Sequence, residues 1–218
     1  FTYPYMYLGG GVSVGDVNND GLEDIFFTGN MVANKLYLNK GNLEFEDISE
    51  SAGITGDERW YSGTTFVDIN QDGYLDIYCS VGGKNGPNNN VLYINNQDNT
   101  FTEKAAEYGI DCDGISMQST FFDYDKDGDL DLYVINYPPT SFTAPVEYYQ
   151  YMLDNHEIKD SDRLYRNDNG KFTDVTVEAG LSSFGLSLGV VASDVNNDGY
   201  TDIFVSNDFN APDFLFIN

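Results

Sequence analysis

Short apolar runs separated by polar turns recur along the whole chain. The runs are four to six residues long, rich in Val, Ile, Tyr and Phe, and bounded by Gly, Asn and Asp. This pattern is typical of short β-strands rather than helices. We predict four strands that return in the same order. The third is marked each time by Leu, an aromatic residue and a final Asn: Leu36–Asn39, Leu92–Asn95, Leu164–Asn167 and Leu215–Asn218.

An acidic stretch of nine residues separates the first and second strands of every repeat. It has Asp at positions 1, 5 and 9, Asn or Asp at position 3 and Gly at position 6. The four copies are Asp16–Asp24, Asp68–Asp76, Asp123–Asp131 and Asp194–Asp202. Calcium takes six to eight oxygen ligands at about 2.3–2.6 Å, and glycine allows the sharp turn that brings the ligands together. Four copies in register predict about four Ca²⁺ ions, one in each loop.

The candidate metal ligands are the side chains at positions 1, 3, 5 and 9. They are Asp16, Asn18, Asp20, Asp24, Asp68, Asn70, Asp72, Asp76, Asp123, Asp125, Asp127, Asp131, Asp194, Asn196, Asp198 and Asp202. An EF-hand is excluded, because its loop needs an acid at position 12 and flanking helices. Position 12 is apolar here: Phe27, Cys79, Val134 and Val205. A β-roll is disfavoured, because its nonapeptides run in tandem, whereas these loops begin 52, 55 and 71 residues apart.

The repeats predict an all-β fold, a β-propeller of four-stranded antiparallel blades with a calcium loop in each blade. We expect one propeller segment over 1–218, with units at approximately 9–54, 61–110, 116–181 and 187–218. The fourth unit reaches Asn218 before its fourth strand. Unit three contains an insertion, 137–162, in which 144–154 has the pattern of a short amphipathic helix. Packing of this helix on its own blade is favoured, and a role in binding is the alternative.

Composition narrows the classes of function. The 218 residues are 41% hydrophobic with a formal charge of −26, so the chain can fold and is unsuited to binding nucleic-acid phosphates. The loops hold 13 of the 36 acids, and four divalent ions would bring the charge to about −18. No apolar run approaches the ~20 residues of a membrane span, and the start shows no signal-peptide pattern. For Cys79 and Cys112, two buried thiols are favoured over one bridge.

The loops and the Leu-Tyr-x-Asn strands resemble the FG-GAP/VCBS repeats of integrin-α-like β-propellers. They are most similar to bacterial and animal proteins related to cartilage acidic protein, in which an N-terminal propeller precedes an ASPIC/UnbV domain. The resemblance implies a propeller of about seven blades, of which this chain would be a fragment. It also implies that the backbone carbonyl at position 7 binds calcium, which corresponds here to Leu22, Tyr74, Asp129 and Tyr200.

These features predict a calcium-binding module for recognition, adhesion or assembly, extracellular or on a bacterial cell surface. Its partner would be a protein, a glycan or another subunit of a surface complex. Candidate contact loops follow the second strands: 28–31, 82–88, 136–139 and 207–210. A purely structural scaffold stays open, as does a calcium-dependent, lyase-like enzyme acting on polysaccharides. Catalysis is disfavoured, because His156 is the only histidine and the chain has only 10 Lys and Arg.

Overall fold

The computed structural model describes residues 9–54, 57, 59–83, 86–140, 143–155, 157–209 and 211–218. The strands are β1 (Val12–Gly15), β2 (Asp24–Phe27), β3 (Lys35–Asn39), β4 (Phe45–Asp47), β5 (Tyr61–Val67), β6 (Asp76–Val81), β7 (Val91–Asn95), β8 (Phe101–Glu103), β9 (Ser116–Phe122), β10 (Asp131–Asn136), β11 (Arg163–Asn167), β12 (Phe172–Asp174), β13 (Ser187–Ser193), β14 (Asp202–Asn207) and β15 (Phe214–Phe216). The helices are α1 (Ala105–Tyr108) and α2 (Val146–Asn155), and a 3-10 turn spans Ile158–Asp160.

The strands form four antiparallel sheets in chain order. Three sheets have four strands (β1–β4, β5–β8 and β9–β12), and the last contains β13, β14 and β15. Neighbouring strands in the chain pair directly, as expected for a meander joined by short turns. This arrangement confirms the predicted fold, a partial β-propeller whose blades are these four sheets. We call them blades 1 to 4.

Burial along the second strand of each blade reflects the stacking of blades. Every residue of β6 and β10 is buried, whereas β2 and β14 also contain exposed positions. A strand covered on both faces carries a continuous apolar run, and a strand covered on one face alternates. In β6, Ile77 packs toward blade 1 and Tyr78 toward blade 3. The core formed by the described residues therefore consists of three clusters, one at each boundary between successive blades.

Polar contacts between the first strands of neighbouring blades add to this packing. The Ser62 hydroxyl on β5 donates to the Ser116 carbonyl on β9 at 2.6 Å, and the Thr65 hydroxyl donates to the Ser119 carbonyl at 3.1 Å. β5, β9 and β13 begin two or three residues before the runs that the sequence pattern predicts. Their first residues are polar or irregular, with register shifts near Gly63 and Gly189, so they carry no alternating signal.

Helix α2 lies where the insertion in unit three predicts a helix, and it packs on the cluster between blades 3 and 4. Tyr149 is buried there, and its ring centroid lies 6.3 Å from that of Phe184. Met152 and Leu153 pack against the same cluster. The helix thus covers its own blade and the start of the next one. Among the described residues, no helix is long and apolar enough to cross a membrane.

Candidate metal centre

All four acidic loops lie at one end of the blades. Each loop connects the first and second strands of its blade, and the residue before position 1 pairs with position 9 in the ladder. The pairs are Gly15 with Asp24, Val67 with Asp76, Phe122 with Asp131 and Ser193 with Asp202. The hairpin closes by the same register in every blade, so corresponding ligand positions occupy corresponding places.

Local backbone conformation brings the loop side chains inward. Position 4 adopts a left-handed conformation in each loop, with φ between 57° and 63° at Asn19, Gln71, Lys126 and Asn197. The glycine at position 6 has φ between 86° and 96°, a region that other residues rarely adopt. Two reversals within three residues fold the loop back on the aspartate at position 1. This is the physical reason for glycine in every copy.

Successive loops contact each other through the residue at position 4. The Asn19 amide donates to the Gly73 carbonyl at 2.9 Å, and the Gln71 amide donates to the Gly128 carbonyl at 2.8 Å. The Lys126 ammonium lies 3.5 Å from the centroid of the Tyr200 ring. Loops one to four are therefore joined in series at this end of the molecule.

The aspartate at position 9 is buried in every blade, and it is more than a candidate ligand. In blade 2, Asp76 accepts the backbone N–H of Ile69 at 3.1 Å and that of Asn95 at 2.8 Å. The other three blades repeat both bonds, through Asp24, Asp131 and Asp202. This carboxylate fixes the loop to the third strand, a role that the sequence reasoning missed. The final Asn of each third strand was the available signal.

Burial makes the ionised form of these aspartates costly. Desolvation raises the pKa of Asp24. It also raises the pKa of Asp76 to about 7 and the pKa of Asp131 to about 6. In all three cases, nearby loop carboxylates raise the pKa further. The backbone hydrogen bonds oppose the shift without cancelling it. A bound divalent cation would favour the charged form, so the electrostatics suit a cation site.

Among the four loops, the third has the surroundings that best suit a bound cation. Oxygens of Asp123, Asp125 and Asp131 lie within 4.8 Å of one another. Among the described residues, Asp123 Oδ1 is one of the few buried side-chain oxygens without a hydrogen-bond partner. Desolvation, followed by repulsion from Asp127 and Asp123, raises the pKa of Asp125. Converging carboxylates with an unpaired oxygen fit a hard cation such as Ca²⁺.

The other three loops bring the same positions together through internal hydrogen bonds. The aspartate at position 1 accepts two backbone N–H groups, as Asp68 does from Asp72 and Gly73. The asparagine amide at position 3 donates to the aspartate at position 5, and the same aspartate accepts the backbone N–H of position 7. In loop two, Asn70 donates to Asp72, and Asp72 accepts the N–H of Tyr74. Corresponding bonds connect Asp16, Asn18, Asp20 and Leu22, and also Asp194, Asn196, Asp198 and Tyr200. Ligation by the carbonyls of position 7, including that of Asp129, stays a prediction.

The opposite ends of the blades contain a second repeated hydrogen bond that the sequence reasoning missed. An Asn or Asp before the third strand accepts the N–H of the residue at or just beyond the end of the second strand. The four acceptors are Asn34, Asn90, Asp162 and Asp213, each at 2.8 Å. The sequence signal is an Asn or Asp exactly five residues before the final Asn of each third strand. These residues hold the candidate contact loops in place.

The candidate contact loops are only partly available for binding. Asn136 belongs to β10, and the expectation of a surface role is wrong for the buried residues of these loops. Among the described residues these are Thr28, Gly29, Gly82, Gly83, Asn136, Tyr137 and Pro138. Met31 and Phe209 are exposed at these ends. His156 and parts of two loops, at 84–85 and 210, lie outside the described residues.

The thiols of Cys79 and Cys112 are free and buried, as the favoured interpretation predicts. Each lies within a cluster between blades, Cys79 between blades 1 and 2 and Cys112 between blades 2 and 3. The Cys79 thiol has its pKa raised to about 12 by burial. A thiol that stays protonated is a poor nucleophile and metal ligand, so Cys79 serves as a small core side chain. Cys112 is likewise packed among core residues.

Comparison with known proteins gives matches over most of the chain. Cartilage acidic protein 1 of Homo sapiens is 26% identical over 206 residues, which cover 92% of this chain and 28% of that protein. The protein of the same name from Xenopus tropicalis is 30% identical over 131 residues, which cover 60% of this chain and 20% of that protein. The chain thus spans less than a third of the curated relatives it matches. The model of the FG-GAP-like repeat matches residues 16–79, 80–134 and 153–205, and the chain therefore belongs to the FG-GAP-like repeat family.

Proposed function

We propose that this chain is a calcium-binding β-propeller segment that serves recognition, adhesion or assembly outside the cell or on its surface. The observation that carries the proposal is the convergence of Asp123, Asp125 and Asp131, together with the buried, unpaired Oδ1 of Asp123, in a loop whose sequence pattern recurs in every blade. Asp16, Asp68 and Asp194 occupy the corresponding first position in the other loops. Each loop would bind one Ca²⁺ through oxygen ligands.

Calcium fits these loops better than a softer metal. All side-chain ligands at positions 1, 3, 5 and 9 are carboxylate or amide oxygens, which hard cations prefer. Loops of low affinity would be filled at the millimolar calcium of extracellular fluids. The name of the relatives, cartilage acidic protein, supports a location outside the cell. We infer an extracellular or cell-surface role from these two arguments together.

A binding role is favoured over catalysis by the state of the basic residues. A lyase acting on acidic polysaccharides needs a group of free cations on one face. Of the nine Lys and Arg that the structure describes, seven form ion pairs with nearby acids: Lys35, Lys40, Arg59, Lys104, Lys159, Arg163 and Arg166. We therefore propose a protein without enzymatic activity, whose partner is a protein or a glycan.

The partner surface would be the end of the blades opposite the calcium loops. Met31 and Val32 follow β2 and are 61% and 63% exposed, and Phe209 follows β14 at 49%. Tyr151 of α2 is 61% exposed at the same end. Exposed aromatic and apolar side chains beside Asn and Asp suit protein or glycan partners. Calcium would act indirectly, by keeping the blades that carry these loops rigid.

A thermal melt of the purified chain tests the calcium proposal. We expect a large rise in Tm from excess EGTA to millimolar calcium, and little effect of magnesium at the same concentration. A site filled at 100 times its Kd stabilises the fold by about 2.7 kcal/mol. Equal melting temperatures in EGTA and in calcium would overturn the proposal.

A glycan array tests the binding surface. If a glycan is bound, Met31→Ser and Phe209→Ser should weaken binding, whereas Leu43→Ser should leave it unchanged. Leu43 is the matched control, because it is 92% exposed and lies in the β3–β4 turn, at the same end as the calcium loops. Loss of binding in Leu43→Ser alone would place the contact surface at the calcium end instead.

A further inference from the structure

Of the four positions whose side chains are candidate ligands, the third loop differs from its three sister loops only at position 3. Position 3 is Asn18, Asn70 and Asn196 in loops one, two and four, and Asp125 in loop three. Asn and Asp have nearly the same shape, so the exchange changes charge and hydrogen bonding with little change in volume. The four loops of one chain therefore provide an internal comparison of the two side chains in the same backbone turn.

The asparagine loops satisfy their own polar groups. In loop four, the Asn196 amide donates to Asp198 at 2.8 Å, while its oxygen accepts the N–H of Asp198 at 2.9 Å. Both oxygens of Asp194 accept backbone N–H groups, at 3.2 Å from Asp198 and 2.8 Å from Gly199. Loops one and two repeat this set of bonds. In these three loops the side chains at positions 1, 3 and 5 thus have hydrogen-bond partners within the loop.

Loop three lacks part of this set. Asp125 has no N–H to donate, so Asp127 loses the bond that its counterparts receive from asparagine. The N–H of Asp127 is 3.3 Å from Asp125, and Asp123 accepts only the N–H of Gly128, at 3.1 Å. The second oxygen of Asp123 is left buried without a partner. Loop three therefore carries four carboxylates at positions 1, 3, 5 and 9, where each sister loop carries three.

The two basic side chains near this loop interact with other groups. The Lys126 ammonium extends away to the Tyr200 ring, 3.5 Å from its centroid. The Arg166 guanidinium lies near Tyr124 and is paired with Asp168 at 2.9 Å. The loop is thus the one place among the described loops where acidic oxygens both converge and lack partners. An unpaired anionic oxygen is what a cation would satisfy.

We propose that the four loops are unequal, and that Asp123–Asp131 is the tight cation site on which the fold depends, with Asp125 as the residue that sets its affinity. This inference rests on the calcium-binding function proposed above. Ligand charge is one of the determinants of calcium affinity in loops of this type, and the extra carboxylate provides it. The asparagine loops bind calcium more weakly and tolerate its removal.

Calorimetric titration of the metal-free chain with calcium tests the ranking. We expect one tight site with a Kd about tenfold or more below those of the other sites. Asp125→Asn should abolish that difference; it introduces the residue that the sister loops carry, so the loop should still fold. Asn196→Asp is the converse variant, and it should create a second tight site. Thermal melts of the same proteins at low calcium should show the largest loss of Tm for Asp125→Asn.

The possible failures are distinguishable. Four calcium sites of equal affinity in the wild type, or a tight site that survives in Asp125→Asn, would overturn the ranking and leave calcium binding intact. The absence of any calcium binding by the wild type would overturn the proposed function itself, and the ranking with it. Tight binding of magnesium at the same site would reject calcium as the preferred ion.

Discussion

At the scale of single residues, the aspartate at position 9 shows how one side chain serves both the fold and the candidate metal site. Asp76 is fully buried and accepts two backbone N–H groups, from Ile69 and Asn95. The Asn95 amide donates in turn to the Val17 carbonyl of blade 1 at 2.8 Å. Removing the carboxylate leaves two buried N–H groups unsatisfied, and it loosens a contact between blades.

We predict that Asp76→Ala destabilises the chain by about 3 kcal/mol more than Asp72→Ala, because each unsatisfied buried group costs about 1–3 kcal/mol. Both variants lose a candidate ligand of the same loop, and Asp72 is exposed. The difference between them therefore reports the buried hydrogen bonds and cancels the loss of the ion. Urea denaturation at fixed calcium measures it. Equal stabilities would mean that Asp76 acts only as a ligand.

A second buried carboxylate, Asp162, gives a prediction for pH. It accepts the N–H of Asn136 and the Ser187 hydroxyl at the boundary of blades 3 and 4. The corresponding residue of blade 2 is the neutral Asn90, whose amide donates to Tyr78 and Ser116. Desolvation raises the pKa of Asp162 from 3.8 to about 6.

Because the folded state holds this proton more tightly, the contribution of Asp162 to stability is greatest below about pH 4 and is lost as the pH rises to about 6. The free energy of unfolding falls by about 3 kcal/mol over this range, because the pKa of Asp162 differs by roughly two units between the folded and unfolded states. We predict that Asp162→Asn is more stable than the wild type at pH 7 and that the gap narrows toward pH 4. Urea denaturation across this range measures the gap. A gap independent of pH would contradict the assignment.

At the scale of elements, helix α2 is a packed part of the blade rather than a free arm. Tyr149 is 2% exposed against Phe184, whereas Tyr151 on the same helix is 61% exposed. We predict that Tyr149→Ala costs about 3 kcal/mol and Tyr151→Ala less than about 0.5 kcal/mol. Chemical denaturation of the two variants provides the comparison. A small effect of Tyr149→Ala would show that α2 contributes little to the fold and would reopen its role as a binding arm.

The elements also show what the sequence does and does not predict. Alternating apolar residues and the glycine at position 6 predict the hairpins that carry the loops, because both signals are local. The bonds that unite each blade join distant residues; Asp131 accepts the N–H of Asn167, 36 residues away across the insertion. Such pairs depend on strand register, which a single sequence does not contain. The repeated Asn and Asp residues mark these positions in the sequence, but the bonding partners of Asp131 and Asn90 are identified by the structure.

At the scale of the whole molecule, repulsion between carboxylates opposes the stacking of the blades at the end that carries the acidic loops. A formal charge of −26 is concentrated in part in loops that contact one another in series. Close carboxylates repel unless a cation or a hydrogen-bond donor lies between them. Asparagine at position 3 supplies a side-chain donor in three loops, whereas Asp125 stands at that position in the third loop and supplies none. Bound calcium would relieve this repulsion and hold successive blades in place.

The central claim is that each loop binds one calcium ion, and counting the ions tests it most directly. Native mass spectrometry of the chain, exchanged into a volatile buffer with excess calcium, gives the number bound. We predict four ions for the wild type and three for Asp127→Ala, which removes one loop ligand. No bound calcium, or the same number in both proteins, would contradict the account.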